Sequence, residues 1–186
     1  GVVADDPPLL AETFRQAAAA ADVVLTSGGV SVGEADFVRP LMAELGEVLF
    51  WKIAMKPGRP LAFGRIGTAA GNADGGAWLF GLPGNPVSAF VGFEVFVRAA
   101  LGRLGGLLHE NRQTVRVRSE DEIDSDGRES YLRAVVHEEN GILVARLTGH
   151  QGSGNLRSLV QANALLIIPA GVKCVPAGQE VNAWLL

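Results

Sequence analysis

Trp78-Leu-Phe-Gly-Leu82 is a short apolar run that passes directly into Pro83-Gly-Asn-Pro86, and the residues from Val87 to Leu101 then read as helix. A buried-type strand, a tight turn and a helix in such close succession leave few architectures open. The strand has to sit in a sheet with helices packed against it. Asn85 is the natural N-cap of that helix and Pro86 its first residue.

The same texture recurs upstream. Asp6-Pro7 reads as an N-cap followed by proline at the first helical position, and an Ala-rich helix continues from Leu9 to Ala21. Asp22–Thr26 is a β-branched strand, Ser27–Gly33 a loop, and Asp36–Leu45 has helical spacing, with Phe37, Leu41 and Leu45 on one side. Pro40 is tolerable there because it falls within the first turn. Val48 to Met55 alternates, which predicts one strand with Lys52 and Lys56 on a common face. Strands alternating with helices predict an α/β layer with parallel strands.

From about Arg112 the pattern changes to short strands between turns: Thr114–Arg118, Tyr131–His137, Ile142–Leu147, Ala164–Pro169 and Glu180–Leu186. These predict a small all-β sandwich or barrel. The boundary is expected in Gly102–Arg112, where Gly105-Gly106 interrupts the helix.

Composition narrows the function classes. Sixteen Lys and Arg against 20 Asp and Glu give a net charge of −4, which argues against a general nucleic-acid binder. The single cysteine, Cys174, excludes a disulfide framework or a Cys-rich zinc site. No apolar run approaches the ~20 residues of a membrane span, and the N-terminus does not read as a signal peptide. A reducing cytoplasm is therefore the expected address. Glycine, at 24 of 186 residues, is nearly twice as frequent as usual and suits loops that bring backbone close to a ligand.

Three loops would follow strands at the carboxyl edge of the sheet, where open α/β sheets place ligands. Thr26-Ser-Gly-Gly29 offers N–H groups and hydroxyls to an anion, and Pro83-Gly-Asn-Pro86 opens a helix whose N-terminus attracts negative charge. Lys52, Lys56 and Arg59 supply cations. Asp5, Glu34 and Asp36 lie beside these loops and could hold Mg²⁺. Each part also has a plainer reading: a turn, a solvated strand face, a helix cap, a charge at a helix start. No G-x-G-x-x-G, P-loop or G-x-S-x-G motif is present.

Three blocks carry a resemblance. Ser27-Gly-Gly-Val-Ser-Val-Gly-Glu-Ala-Asp36, Trp51-Lys-Ile-Ala-Met-Lys-Pro-Gly-Arg-Pro60 and Gly81-Leu-Pro-Gly-Asn-Pro-Val-Ser-Ala89 resemble the MoeA/gephyrin E-domain family in order and spacing. Gly127-Arg128 with Arg133, His150-Gln-Gly-Ser-Gly154, Ala162–Leu166 and Leu185-Leu186 look like that family's terminal β domain. The resemblance covers essentially the whole chain.

The resemblance implies a MoaB/Mog-like three-layer molybdopterin-binding α/β domain over residues 1–108 and a barrel-like β domain over 109–186. It implies a molybdopterin molybdenumtransferase of molybdenum-cofactor biosynthesis. In that family molybdenum from molybdate is inserted into adenylylated molybdopterin and AMP is released, with Mg²⁺ as the divalent cation. Carried over by motif, Asp5, Asp36, Lys52 and Lys56 are the catalytic residues, and Asp5 and Asp36 are also the metal ligands. Thr26, Ser27, Gly28, Gly29, Arg59, Pro83, Gly84, Asn85 and Ser88 line the pterin-phosphate pocket, with Arg128 and Ser158 as further oxyanion contacts. The alternative is a molybdopterin-binding or gephyrin-like scaffold module without transferase activity.

Family members are longer, and the match enters partway through the α/β domain. Its first strand and helix are therefore expected outside these 186 residues, with Val2-Val3 ending the second strand. Two N-terminal domains that mediate homodimerisation are also expected outside, so the 186 residues alone are expected not to turn over. The expected partners are small-molecule substrates, a second copy, molybdopterin adenylyltransferase and recipient molybdoenzymes, with neither nucleic acid nor membrane.

Overall fold

The computed structural model describes residues 1–30, 37–67, 76–107 and 112–186. The chain divides into two compact units, Gly1–Ile53 with Gly58–Phe93, and Ala54–Pro57 with Glu94–Leu186.

In the first unit, α1 (Pro7–Ala20) starts where Asp6 accepts a hydrogen bond from the Leu9 N–H at 2.9 Å, with proline opening the first turn. It buries Ala11 and Phe14 against a four-stranded sheet. That sheet has the order β1 (Val23–Ser27), β5 (Ala77–Leu82), β4 (Ala62–Ile66), β2 (Gly46–Trp51). Val2 and Val3 belong to no strand. Helix α2 (Val38–Leu45) buries Val38, Leu41 and Met42 on the α1 side, joining Val24, Ile66 and Leu79 in one core. The opposite face carries Phe63, stacked on Trp78 with ring centroids 5.2 Å apart and 4.6 Å from Phe80.

Only β1 and β5 are parallel; β5–β4 and β4–β2 are antiparallel. The expected parallel strands are thus β1 and β5; β4 departs from them because the links on either side of it are shorter than the dozen or more residues a parallel crossover needs.

The expected strand from Val48 to Met55 also breaks. β2 ends at Trp51, and Lys52 takes a left-handed backbone with φ 65°. Period-two alternation requires extended residues throughout, so Lys52 and Lys56 do not share a strand face. Lys56 lies in β3 (Met55–Lys56), which pairs in parallel with β8 of the second unit. Helix α3 (Pro86–Gly92) starts where expected and is followed by a π turn (Phe93–Val97) and α4 (Arg98–Leu104).

The second unit contains all five expected strands. They are β6 (Thr114–Ser119), β8 (Glu129–Glu139), β9 (Ile142–Leu147), β10 (Ala164–Ile168) and β12 (Glu180–Leu185). Their order is β10-β12-β6-β9-β8, and β8 pairs again with β10, closing a barrel. The closure is filled by Val117, Leu132, Ala134, Val136, Leu166 and Ala183. Asn140-Gly141, both with positive φ, turns β8 back into β9 with Glu139 opposite Ile142, the two-residue hairpin that Asn-Gly favours. A short pair, β7 (Ile123–Asp124) with β11 (Cys174–Val175), and a helix, α5 (Leu156–Gln161), had no counterpart in the sequence reading.

Candidate functional site

Parallel pairing sets Ser27 beside Leu82 at the carboxyl ends of β1 and β5. Beyond those ends two loops meet. The Ser27 hydroxyl donates to the Pro83 carbonyl at 3.1 Å, and the Gly28 N–H donates to the Leu82 carbonyl at 2.9 Å. Gly28 and Gly29 have φ of 99° and 68°, conformations that glycine adopts without penalty. A Cβ at Gly84 would stand 3.4 Å from the Gly28 Cα, so the loops touch through backbone alone.

Three helices begin at this edge. α3 opens directly from the second loop at Pro86. α2 opens where the Val38 N–H donates to the Gly29 carbonyl at 3.1 Å, and its far end, Leu45, bonds Gly67. Gly67 follows Ile66, which pairs with Ala77 at the amino end of β5. A Cβ at Gly67 would meet Ala18 at 2.8 Å, so the C-terminal end of α1 is at that amino edge too. The first turn of α1, with Asp5 and Asp6 ahead of it, is therefore at the carboxyl edge. Helix N-termini carry partial positive charge and free N–H groups, and this edge gathers three of them.

β2 ends here as well, since Trp51 pairs with Ala62 and Ala62 with Gly81. Lys52 and Arg59 thus lie at the same edge, where the Lys52 N–H bonds the Leu61 carbonyl at 3.1 Å and the Ile53 N–H bonds Arg59 at 3.0 Å. Lys52 Nζ stands 3.8 Å from the centroid of the Trp51 ring. The Arg39 guanidinium is 4.3 Å from the same centroid, and the Trp51 indole N–H donates to the Val30 carbonyl at 3.1 Å. Neither Arg39 nor Trp51 was singled out from the sequence as a site residue in its own right.

Among the described residues, two polar atoms at the edge are buried without a hydrogen-bond partner, Thr26 Oγ1 and Asn85 Oδ1. Asn85 occupies the N-cap position, but its side chain makes no cap hydrogen bond, contrary to the sequence reading; only its carbonyl accepts, from Ala89. Ser88 is buried in the first turn of α3. Orphaned buried polar atoms are costly and rare in folded proteins, and two at one sheet edge point to a missing polar partner. Asp6 is engaged as a helix cap, whereas Asp5 is exposed. Asp36, like Glu34, lies outside the described residues.

The remaining expected residues are in the second unit. Lys56 Nζ is 3.5 Å from Asp126 Oδ2, and Arg128 holds the same carboxylate through Nη2 at 2.6 Å and Nε at 3.2 Å. Hydrogen bonds from the Arg128 side chain and backbone, with Lys56 adding its charge, keep the Asp126 carboxyl well below the usual range. Lys56 and Arg128 are thus tied together by an acid the sequence reading did not flag.

Ser158 is fully buried, accepts from Arg133 Nε at 3.1 Å and donates to the Asn155 carbonyl at 2.6 Å. Arg133 is the more telling residue. Its guanidinium is 0% exposed, bonds Ser158 and the Gly152 carbonyl, and leaves Nη1 buried without a partner. No carboxylate pairs with it among the described residues, and burial pulls its pKa below the ordinary value.

Elsewhere in this unit, a cavity of about 500 Å³ lined by Glu94, Arg98, Arg112 and Trp184 includes none of the expected site residues. Among the described residues, Glu120–His137–Glu139 and Glu122–Asp124–Cys174 each bring three ligand atoms within 4.8 Å of one another on the surface. Asp5 belongs to neither group. No helix among the described residues is long and apolar enough to cross a membrane.

The chain is 39% identical over 185 residues to a molybdopterin molybdenumtransferase of Nostoc sp., covering 97% of this chain and 41% of that protein. It is 35% identical to one from Haemophilus influenzae (98% and 44%) and 36% identical to a gephyrin of Dictyostelium discoideum (100% and 28%). It thus spans less than half the length of these relatives. Among solved structures, the molybdopterin biosynthesis moeA protein from Pyrococcus horikoshii superposes with a TM-score of 0.80 at 30% identity, covering all of this chain and 42% of that one. Residues 1–103 match the probable molybdopterin binding domain and residues 116–186 the MoeA C-terminal region, domain IV. With both segments matched in order, the chain belongs to the MoeA/gephyrin family of molybdenum-cofactor biosynthesis.

Proposed function

We propose that this chain forms the pterin- and molybdate-handling part of a molybdopterin molybdenumtransferase, in which adenylylated molybdopterin receives molybdenum and AMP leaves. The observation that carries the reading is the sheet edge where three helix N-termini, Lys52, and the unpaired Thr26 and Asn85 oxygens come together. Such an edge suits a multiply anionic, hydrogen-bonding ligand, and the names of the relatives agree with it. The matched segments also support division into an α/β domain over 1–108 and a β domain over 109–186.

In this reading, the Gly29 backbone N–H, Thr26, Ser27 and the Pro83–Ser88 turn orient the phosphate end, while Gly28 keeps its N–H on the Leu82 carbonyl and holds the two loops together. Lys52 and Arg59 offset its charge. Lys56 and Arg128, tethered through Asp126, serve an oxyanion in the β domain, with Ser158 and the unpartnered Arg133 Nη1 as further contacts there. Mg²⁺ takes one or two carboxylates and completes its shell with phosphate oxygens and water. Exposed Asp5, with no ion-pair partner among the described residues, suits that donor set, and Asp36 would be the second ligand. The ion would supply Lewis-acid polarisation of the phosphoanhydride. The chain would work as part of a cytoplasmic homodimer between an adenylyltransferase and recipient molybdoenzymes.

Molybdate-dependent AMP release by the full-length protein tests this. Lys52→Ala should lower the rate by about 2.7–4 kcal/mol of transition-state stabilisation. A parental rate would refute the assignment. Pterin binding without AMP release by the parent would instead favour the scaffold reading that the gephyrin relative suggests.

A further inference from the structure

We propose that Arg39 and Lys52, both stationed on the Trp51 indole, form a two-cation seat for one doubly charged oxyanion, with Trp51 as the positioning residue. The inference rests on the ligand edge proposed above and names the group that sits in one part of it.

Both charges lie close to one ring centroid, at 4.3 Å and 3.8 Å, so they are no more than about 8 Å apart. Like charges at that distance repel unless an anion joins them. Among the described residues, no carboxylate pairs with either one. Arg39 is the second residue of α2 and Lys52 follows the last residue of β2. Two separate elements therefore deliver cations to the same indole. Arg39 also adds its charge to the first turn of a helix, where the macrodipole disfavours a cation and favours an anion.

The indole explains how the pair is held. A cation over an aromatic face is attracted by the ring quadrupole, and the Trp51 ring is fixed by its N–H bond to the Val30 carbonyl. Lys52 pays a backbone penalty for its position, since a non-glycine residue at φ 65° is strained. The left-handed turn breaks the strand alternation that would otherwise send Lys52 to the face opposite Trp51. With the backbone turned, its ammonium lies over the neighbouring ring. An oxyanion with two negative charges, held between a forked guanidinium and an ammonium, satisfies both cations at once. Free molybdate and the phosphate linkage of a nucleotide share that chemistry.

Titration calorimetry of the full chain with molybdate and, separately, with inorganic pyrophosphate distinguishes these sources. The parent should bind at least one of them. Arg39→Ala should weaken that binding about tenfold, as expected for loss of a charged hydrogen-bond donor, while Arg39→Lys recovers much of it. Trp51→Leu should weaken binding similarly although it removes no charge, and Trp51→Phe, which keeps a ring face, should stay near the parent. Anion-induced change in tryptophan emission should vanish in Trp51→Phe. If the parent binds and Arg39→Ala binds equally well, the two-cation seat is wrong and the ligand edge stands. If the parent binds neither anion, the ligand edge itself fails, and the seat with it.

Discussion

The Ser27 hydroxyl donates to the carbonyl of Pro83, 56 positions further along the chain. This bond closes the two ligand loops against each other at the carboxyl end of the parallel β1–β5 pair. Ser27→Ala should lower stability by about 0.5–1.5 kcal/mol, the usual net value of such a bond. Urea denaturation measures that loss, and pterin affinity should fall with it because the loops part.

Thr26→Val should behave in the opposite way. The hydroxyl is buried without a partner, so an isosteric apolar side chain leaves the ligand-free protein equally or more stable. Ligand affinity should drop by about 1 kcal/mol as the hydrogen bond is lost. A fall in melting temperature with unchanged affinity would remove Thr26 from the site.

Asp126 makes stability depend on acidity. Its folded pKa is depressed, chiefly by Arg128, so its contribution is complete above the unfolded value of about 3.9. That contribution is lost as pH falls from there through the lower folded value. Asp126→Asn should flatten the acid limb of the stability profile below about pH 4, measured by urea midpoints across pH. It should also release Lys56 from Arg128.

Arg133→Lys keeps the charge but not the fork. Either Ser158 Oγ or the Gly152 carbonyl then loses its partner, at a cost of about 1–3 kcal/mol for a buried group left unsatisfied. Amide exchange in residues 150–155 should accelerate while the barrel strands keep their protection.

Much of the fold was legible because its signals are local. Asp6-Pro7 marks a helix start through cap chemistry, and the five barrel strands announce themselves by alternation between turns. What escaped was decided by partners distant in sequence. Nothing around Lys52 marks a left-handed residue: it is neither glycine nor asparagine, and the alternating pattern continues past it. β3 exists only because β8 is there to pair with Met55 and Lys56. The ligand loops were visible through glycine and proline, yet their best evidence, the unpaired Thr26 and Asn85 oxygens, is a property of packing. Arg133 stands in an alternating strand as an outward residue, and only the chain over it, from Gly152 to Ser158, buries it. Ser158, a hydroxyl near basic residues, gave no sequence sign that it faced that guanidinium.

The Asn140-Gly141 hairpin reaches further than its surface position suggests. β8 is one uninterrupted strand from Glu129 to Glu139, shared among β9, β10 and β3. A slip of one residue at the turn would exchange the two faces of the whole strand. Leu132, Ala134 and Val136 would leave the barrel interior, and Arg133 would be driven into it. Orientation of a buried charge is thus set seven positions away, by the handedness of two turn residues, and a longer loop engineered between Asn140 and Gly141 would be read out as misalignment at Arg133.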